Sequence, residues 1–254
     1  MKKLIEDLLV ISNKKLNDDY FVVELKSKEK LPEILPGQFV NILVKDAPDT
    51  FLRRPISIND VDYDNNLLFL SIKKVGKGTG KLANLKSGDT LNLLFPLGNG
   101  FSDTNSENVL LIGGGIGIAP MLYLAKYFNK KKIKPNVILG ARKAIDILQK
   151  SDFEKIANVY VTTEDGSDGE RGYVTTHSIL KEKSFDKIYT CGPEAMMKAV
   201  ASYAKENNID CEVSLENMMA CGIGACLCCV VDTKHGNICT CTEGPVFNVN
   251  LLKW

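Results

Sequence analysis

The chain has 254 residues, of which 44% are hydrophobic and 25% charged, and 32 basic residues balance 31 acidic ones to a net charge of +1. A chain of this length buries a sizeable core, and its composition is typical of soluble globular proteins with about one to three domains. The near-neutral charge gives no argument for nucleic acid or a membrane as a partner, and we expect the short lysine runs at 14–15 and 130–132 to lie on solvated faces.

Two features argue against export and against a membrane span. Glu6 and Asp7 interrupt the apolar stretch that a signal peptide would need, and no small-residue cleavage site follows. The longest uncharged run, residues 109–125, contains four glycines and Pro120, which break a spanning helix. We therefore expect a cytoplasmic protein, in which eight cysteines indicate metal ligation or redox chemistry rather than disulfides.

Residues 1–101 are predicted to form a small antiparallel β-barrel. Short runs rich in β-branched and aromatic residues alternate there with Pro, Gly, Asp and Asn turn signals, which is typical of a closed barrel. The predicted strands have the sequences YFVVEL, GQFVNILV, RRPISI, NLLFLSIK and TLNLLF.

Two short motifs in this barrel suit a ligand with a diphosphate and a flavin ring. Arg54 can pair with a diphosphate and the Ser57 hydroxyl can donate to a ring nitrogen, while Gly78 and Thr79 open a helical turn suited to phosphate. A Pro-led edge strand and an ordinary helix cap would produce the same residues, so both interpretations stay open at this point.

Residues 102–212 are predicted to form a parallel α/β domain. The strands NVLLIGG, NVILGA, NVYVTTED and DKIYTCG alternate with helical stretches, a pattern typical of a parallel sheet. The predicted apolar stripes are Met121, Leu124, Ala125 and Phe128 in the first helix and Met196, Ala199, Val200 and Tyr203 in the last.

Two strand-to-helix loops of this domain predict a nucleotide site. The sequence GGGIGIAP presents free N–H groups at a helix start, which favour phosphate, although tight packing of strand on helix is the alternative. The strand ending in YTCGP should place its loop beside the first, at the carboxyl edge of one sheet. The residues expected to contact the nucleotide are Gly113, Gly114, Gly115, Gly117, Cys191, Gly192 and Pro193.

Three other polar features receive no catalytic role. The acidic turn at 162–172 could reach a ribose hydroxyl, but we interpret it as a surface loop. His177 and His235 have no cysteine or carboxylate partner at catalytic spacing. We therefore expect no acid–base site of the chain's own.

The last segment, residues 213–254, carries a cysteine motif typical of a 2Fe-2S cluster. Cys221, Cys226 and Cys229 stand as C-x4-C-x2-C, and Cys241 follows after eleven residues. The small residues between the first three cysteines let the backbone approach a cluster closely. Roughly forty residues with so little apolar content form no core of their own, so a cluster would have to staple them.

Alternatives to this interpretation are a zinc site and an assortment of buried thiols. Cys226 and Cys229 form a zinc-compatible C-x2-C, but Cys239 and Cys241 offer only C-x-C as the second half. These two cysteines lie one strand period apart and are expected to face the same side, so spacing does not choose the fourth ligand. The remaining cysteines, Cys191, Cys211 and Cys228, are expected to be buried thiols.

Taken together, these motifs resemble the ferredoxin reductase family along the whole chain. The terminal sequences LENMMACGIGACLCC and CTEGPVF are similar to those of the electron-transfer subunits of dihydroorotate dehydrogenase B. That resemblance implies an FAD-binding barrel, an NAD-binding domain and a 2Fe-2S segment in which Cys241 is the fourth ligand, because the family's fourth cysteine precedes x-[DE]-G-P-V-F. It implies FAD contacts at Arg54, Pro55, Ile56, Ser57, Ser71, Ile72, Lys73, Gly78 and Thr79.

The resemblance also implies a partner and a reaction. A substrate-oxidising (β/α)8 domain needs about 250 residues, so a second chain must supply it. By resemblance it is an FMN-containing catalytic subunit that oxidises dihydroorotate, two of each chain assembling, with electrons passing through FMN, the cluster and FAD to NAD+ in pyrimidine synthesis. A nicotinamide exchanges two electrons and the cluster one, so a flavin between them is required. The cluster segment is expected at the subunit interface.

Two further functions stay open from the residues. One is the electron-transfer subunit of a related NAD(P)H-ferredoxin oxidoreductase, a sulfide dehydrogenase or an oxygenase reductase. The other is a zinc-stapled binding module on an α/β scaffold, without enzymatic activity.

Overall fold

A computed structural model describes residues 3–45 and 50–254 of the chain. Six antiparallel strands close a barrel in the order β1-β2-β5-β4-β3-β6. They are β1 (Leu4–Lys15), β2 (Tyr20–Lys26), β3 (Phe39–Leu43), β4 (Arg54–Asp62), β5 (Leu67–Lys73) and β6 (Thr90–Leu97), and the helix α1 (Lys77–Leu82) lies between β5 and β6. The predicted barrel is confirmed, and its five predicted strands correspond to β2 through β6.

Strand β1 is missing from the sequence prediction, although it is the longest in the chain. Only Leu8 and Val10 of this strand are fully buried, and Ile5 and Leu9 point outward. The expected alternation of polar and apolar residues is therefore blurred, and pairing with β2 and β6 is what makes the segment a strand.

A seven-stranded sheet in the order β10-β9-β8-β7-β11-β12-β15 forms the second part of the fold. Its strands are β7 (Val109–Gly114), β8 (Asn136–Ala141), β9 (Asn158–Thr163), β10 (Glu170–Arg171), β11 (Lys187–Cys191), β12 (Asp210–Ser214) and β15 (Val246–Asn248), and its helices are α2 (Ile118–Lys130), α3 (Lys150–Glu154), α4 (Ile179–Glu182) and α5 (Glu194–Glu206). All neighbours pair in parallel except β12 with β15. The predicted parallel α/β domain is confirmed, and β7 is buried along its whole length, as covered parallel strands are.

The two predicted helix stripes have different outcomes. In α2 all four stripe residues are buried, as predicted. In α5 the prediction was wrong by about one position, because the buried residues are Met197, Val200, Ala201 and Ala204. Met196 instead reaches across the glycine loop, where a Cβ on Gly114 would lie 2.5 Å from its sulfur.

The cysteine-rich segment contacts both the seven-stranded sheet and the barrel. Its hairpin consists of β13 (Val230–Thr233) and β14 (Gly236–Cys239). The last strand, β15, pairs with β12 and so extends the main sheet. On the barrel side, the side-chain amide of Asn99 donates to the carbonyls of Thr242 at 3.1 Å and Glu243 at 2.9 Å.

Helix α2 docks the sheet against the barrel. The Asn59 side chain on β4 donates to the Ala119 carbonyl at 3.2 Å, and the Tyr123 hydroxyl donates to the Ile34 carbonyl at 2.8 Å. Lys126 also pairs with Asp60 across the same junction. These contacts turn the carboxyl edge of the sheet toward the barrel.

None of the helices within residues 3–45 and 50–254 has the length and apolar character needed to cross a bilayer.

Candidate cofactor-binding site

A cleft with a volume of about 1500 Å³ lies between the barrel and the carboxyl edge of the sheet. It brings together residues predicted separately for the flavin and for the nicotinamide nucleotide. The predicted residues that line it are Arg54, Pro55, Ile56, Ser57, Ser71, Lys73, Thr79, Gly114, Gly115, Gly192 and Pro193.

Other predicted contacts lie behind the cleft wall: Ile72, Gly78, Gly113, Gly117 and Cys191 are not among its lining residues. The side chain of Ile72 is fully buried in the barrel core. A Cβ on Gly117 would lie 2.3 Å from the Cys191 carbonyl oxygen, so this glycine serves the packing of loop on loop. Ile72 and Gly117 therefore have packing roles in this fold.

The barrel side of the cleft suits an anionic ligand that also accepts or donates hydrogen bonds. Ser71 is 2% exposed, and its hydroxyl has no hydrogen-bond partner among the described residues. Arg54 and Lys73 supply positive charge to the same cleft, and the Lys73 ammonium lies 5.4 Å from the centre of the Tyr20 ring. A buried hydroxyl without a partner is costly, and a flavin nucleotide offers a ring that can hydrogen-bond this hydroxyl and a diphosphate that matches the positive charge.

On the sheet side of the cleft, two glycine-containing loops lie next to each other. Strands β7 and β11 are neighbours, and Gly113 lies opposite Cys191 in their register. Gly115 has φ +55°, a conformation that glycine adopts without strain. The predicted position of both loops at one sheet edge is confirmed, and their exposed N–H groups fit a nucleotide.

The acidic turn at 162–172 also belongs to the cleft, although the sequence favoured a plain surface loop. Thr162, Glu164 and Gly172 line it together with Tyr173 and Val174. Our expectation of a surface loop was therefore incomplete, since Glu164 is exposed but faces the cleft. The position of this turn after β9 was the available signal.

Several lining residues had no signal in the sequence. The side chain of Glu216 lines the cleft. Desolvation by the surrounding protein raises the pKa of its carboxyl group, and the positive charge of Lys73 opposes that shift. Phe39 on β3 and Met219 in the last segment also line the cleft. Only the pairing of distant strands brings these three side chains to one place.

The four predicted cluster ligands lie as two pairs of thiols. Cys221 interacts with Cys226, and Cys241 interacts with Cys229. Within residues 3–45 and 50–254, no three ligand side chains converge as around a single metal ion. Two iron ions that each take two thiolates need such a two-by-two arrangement.

Backbone N–H groups point at these sulfurs. Ile223 donates to the Cys221 sulfur at 3.4 Å and Gly224 donates to the Cys241 sulfur at 3.2 Å. Burial tends to raise the pKa of Cys221, but the N–H groups of the loop and the Cys226 thiol lower it to about 6, so this thiol ionises near neutral pH. Burial, reinforced by Cys229, raises the pKa of Cys241 to about 12, so its thiolate forms when a metal replaces the proton.

Cys239 and Cys241 differ in burial, a difference that their spacing in the sequence did not predict. Strand β14 ends at Cys239, and the chain then turns, with the N–H groups of Thr242 and Glu243 donating to the Cys239 carbonyl. Cys241 is 1% exposed, whereas Cys239 is half-buried and also contacts Cys229. Both thiols nevertheless interact with Cys229, as expected for two cysteines that face the same side, and only their burial differs.

The remaining thiols divide as follows. Cys191 and Cys211 are fully buried, as predicted, and burial raises the pKa of both. The prediction for Cys228 was wrong, because this thiol is exposed and lies 3.7 Å from the Met218 carbonyl oxygen. Leu227 has φ +56°, so the chain turns sharply just before Cys228 and directs it outward.

Comparison with known proteins places these features in families. Residues 216–253 match the family described as "Iron-sulfur cluster binding domain of dihydroorotate dehydrogenase B", and residues 111–202 match the "Oxidoreductase NAD-binding domain". The chain is 41% identical to the dihydroorotate dehydrogenase B (NAD+) electron transfer subunit of Fusobacterium nucleatum, over 96% of both chains. It is also 41% identical to that of Clostridium acetobutylicum, over 94% of this chain and 93% of the relative.

Two solved structures share the fold. One is a chain of an NADH-dependent reduced ferredoxin-NADP oxidoreductase, with 31% identity and a TM-score of 0.88 over 97% of this chain and 90% of that one. The other is the ferredoxin reductase in carbazole 1,9a-dioxygenase, with 20% identity and a TM-score of 0.70 over 82% of this chain and 67% of that one. The chain therefore has a ferredoxin reductase-like fold and belongs to the family of electron transfer subunits of dihydroorotate dehydrogenase B.

Proposed function

We propose that the chain carries electrons between a partner catalytic subunit and NAD+, with FAD in the cleft and a 2Fe-2S cluster on Cys221, Cys226, Cys229 and Cys241. The observation that carries this proposal is the position of the thiol pairs. Cys229 and Cys241 pack in one apolar cluster with Phe39, a residue that also lines the cleft. This shared residue supports a one-electron site next to a flavin-sized cleft.

Each part of the chain has a distinct task in this proposal. The barrel residues Arg54 and Lys73 bind the flavin phosphates, and the hydroxyls of Ser57 and Ser71 hydrogen-bond the ring. The backbone of the two sheet loops binds the nicotinamide nucleotide. When bound, the flavin supplies the exchange between two-electron and one-electron chemistry, so the chain needs no acid–base pair of its own.

The partner we propose is an FMN-containing dihydroorotate dehydrogenase subunit, two of each chain forming the complex. Four exposed apolar side chains surround the cysteine loop and support docking there. They are Met218 at 85% exposure, Leu227 at 64%, Ile223 at 46% and Val230 at 37%. Apolar side chains gathered on one surface are typical of a protein interface. We propose the cytoplasm as the location, where eight free thiols stay reduced.

We also propose three functional units: residues 1–101 for FAD, 102–212 for NAD and 213–254 for the cluster. The pairing of β12 with β15 joins the last two.

Reconstitution with the FMN-containing subunit tests the proposal. Dihydroorotate-dependent reduction of NAD+ by the complex, absent with either subunit alone, is the expected result. Reduction of ferredoxin in place of any dihydroorotate activity would favour the function of the 31% identical oxidoreductase chain instead. A colourless chain without bound flavin or iron would refute both.

A further inference from the structure

Two side chains belong both to the cleft wall and to the surroundings of the cysteine sulfurs. Among the described residues, Phe39 and Met219 are the two that line the cleft and also pack in the apolar cluster with Cys229 and Cys241. Leu97 packs in the same cluster but does not line the cleft. Phe39 and Met219 therefore separate the space for the flavin from the thiols.

Phe39 is held in place by the barrel itself. It is 3% exposed and starts β3, where it pairs with Ser57 on β4 and with Leu97 on β6. A Cβ on Gly98 would lie 3.0 Å from the Phe39 ring, so the neighbouring backbone already touches this side chain. The backbone at Gly98 therefore limits the movement of the ring on that side.

Met219 comes from a different part of the chain, the segment after β12. It is 9% exposed and lies two positions before Cys221, in the stretch that leaves β12. The chain is fixed on both sides of the thiols, because Leu215 donates to the Pro245 carbonyl at 2.9 Å and Asn99 donates to the Gly244 carbonyl at 2.6 Å. Together the two side chains close the cysteine pair Cys229 and Cys241 off from the cleft.

We propose that Phe39 and Met219 are positioning residues that keep cleft water away from the cluster and thereby hold its reduction potential low. This inference rests on the proposed function, since it requires the cluster on these cysteines. A reduced cluster carries one more negative charge than the oxidised one, and burial penalises the form with the larger charge. Solvent exposure is one of the factors that set the potential of iron–sulfur sites.

The test is a redox titration of the isolated chain, followed by the paramagnetic resonance signal of the reduced cluster. Phe39→Ala and Met219→Ala should each shift the cluster potential in the positive direction, because each opens a path from the cleft to the thiols. Phe39→Leu and Met219→Leu keep most of the apolar volume and should restore the original potential. The rate of iron loss to a chelator should rise in the alanine variants and fall back in the leucine variants.

Leu97→Ala is the matched control, since it removes a buried side chain from the same cluster without opening the cleft. An unchanged potential in this variant, with shifts in the two alanine variants, supports the proposal. Equal shifts in all three variants, or no shift in the two alanine variants, overturn it. If Phe39→Ala does not fold, the Met219 pair decides alone. A wild-type chain without a cluster signal would instead refute the proposed function.

Discussion

The backbone N–H of Gly224 donates a hydrogen bond to the sulfur of Cys241 at 3.2 Å, although the two residues are 17 positions apart in the chain. Gly224 has φ +85°, and a Cβ on it would lie 2.8 Å from the Thr242 side chain. A glycine at this position therefore brings the loop of the first three cysteines onto the fourth.

Gly224→Ala should weaken cluster binding, because it combines an unfavourable backbone conformation with a steric contact next to a ligand. Gly236→Ala is the matched control, since Gly236 has φ +102° but no atom within 4 Å of a Cβ. In both variants an alanine must adopt a positive φ, at a cost of about 1–2 kcal/mol. The difference in cluster content between the two variants therefore reports the steric contact next to the ligand. Iron and sulfide content per chain measures it, and equal content in both variants would contradict the prediction.

Cys241→Ser should lose the 2Fe-2S cluster and keep FAD together with NADH-to-dye activity. The reason is that the change removes the fourth thiolate, while Cys241 itself does not line the cofactor cleft. Visible absorption and iron analysis measure the cluster, and flavin release on denaturation measures the FAD. Cys239→Ser is the control and should keep its iron, so the opposite pattern would make Cys239 the ligand.

Arg54→Ala should weaken FAD binding. A hydrogen bond to a charged group contributes about 1.5–3 kcal/mol, so the dissociation constant should rise roughly 10- to 100-fold. Flavin retained after gel filtration provides the measurement. Arg53→Ala is the control, because Arg53 donates to the Asn92 side chain at 2.6 Å and does not line the cleft. Equal flavin loss in the two variants would indicate a general effect on the barrel.

Gly117→Ala should destabilise the sheet domain by about 1–3 kcal/mol, the usual cost of overpacking. The added methyl would lie 2.3 Å from the Cys191 carbonyl oxygen and push apart the two loops that form the nucleotide cradle. Both the affinity for NADH and the midpoint of urea unfolding should decrease. Gly80→Ala has nothing within 4 Å of its Cβ and should leave both unchanged.

Lys187→Met should lower the free energy of unfolding by about 3 kcal/mol, the lower end for a broken buried ion pair, because the carboxylate of Glu212 then keeps only the hydrogen bonds from the Ser102 N–H and hydroxyl. The Lys187 ammonium lies 3.2 Å from Glu212 and 2.9 Å from Asp210, and it is 10% exposed. Urea titration at neutral pH measures the loss. A further change of Glu212 to Gln should recover part of it.

The same group predicts a pH dependence of stability. Burial raises the pKa of Asp210, but the hydrogen bond and the charge of Lys187 lower it by more, so the pKa lies below its ordinary value. The contribution of Asp210 is therefore present above its unfolded pKa, about 3.9, and is lost as the pH falls through the lower folded value. Burial lowers and the two carboxylates raise the pKa of Lys187, with a net increase, so its contribution is lost only at strongly alkaline pH. Lys187→Met should flatten the acid arm of the stability profile.

Local pattern alone determined much of this fold. Strands β2 to β6, the alternating strands and helices of the sheet, and the C-x4-C-x2-C motif all follow from residue spacing, since side-chain period and ligand spacing are properties of neighbouring residues. Strand β1 was not predicted because its outward-facing residues Ile5 and Leu9 are apolar, so polar and apolar residues do not alternate in its sequence. Its pairing with two other strands decides its conformation.

The tertiary structure decided what depends on residues far apart in the chain. It divided one glycine motif into Gly114 and Gly115, which line the cleft, and Gly117, which packs under the Cys191 carbonyl. A turn after β14 buries Cys241 and leaves Cys239 half-buried, which the strand period alone did not anticipate. Long-range pairing sets these burials, and a sequence pattern contains only the distances along the chain.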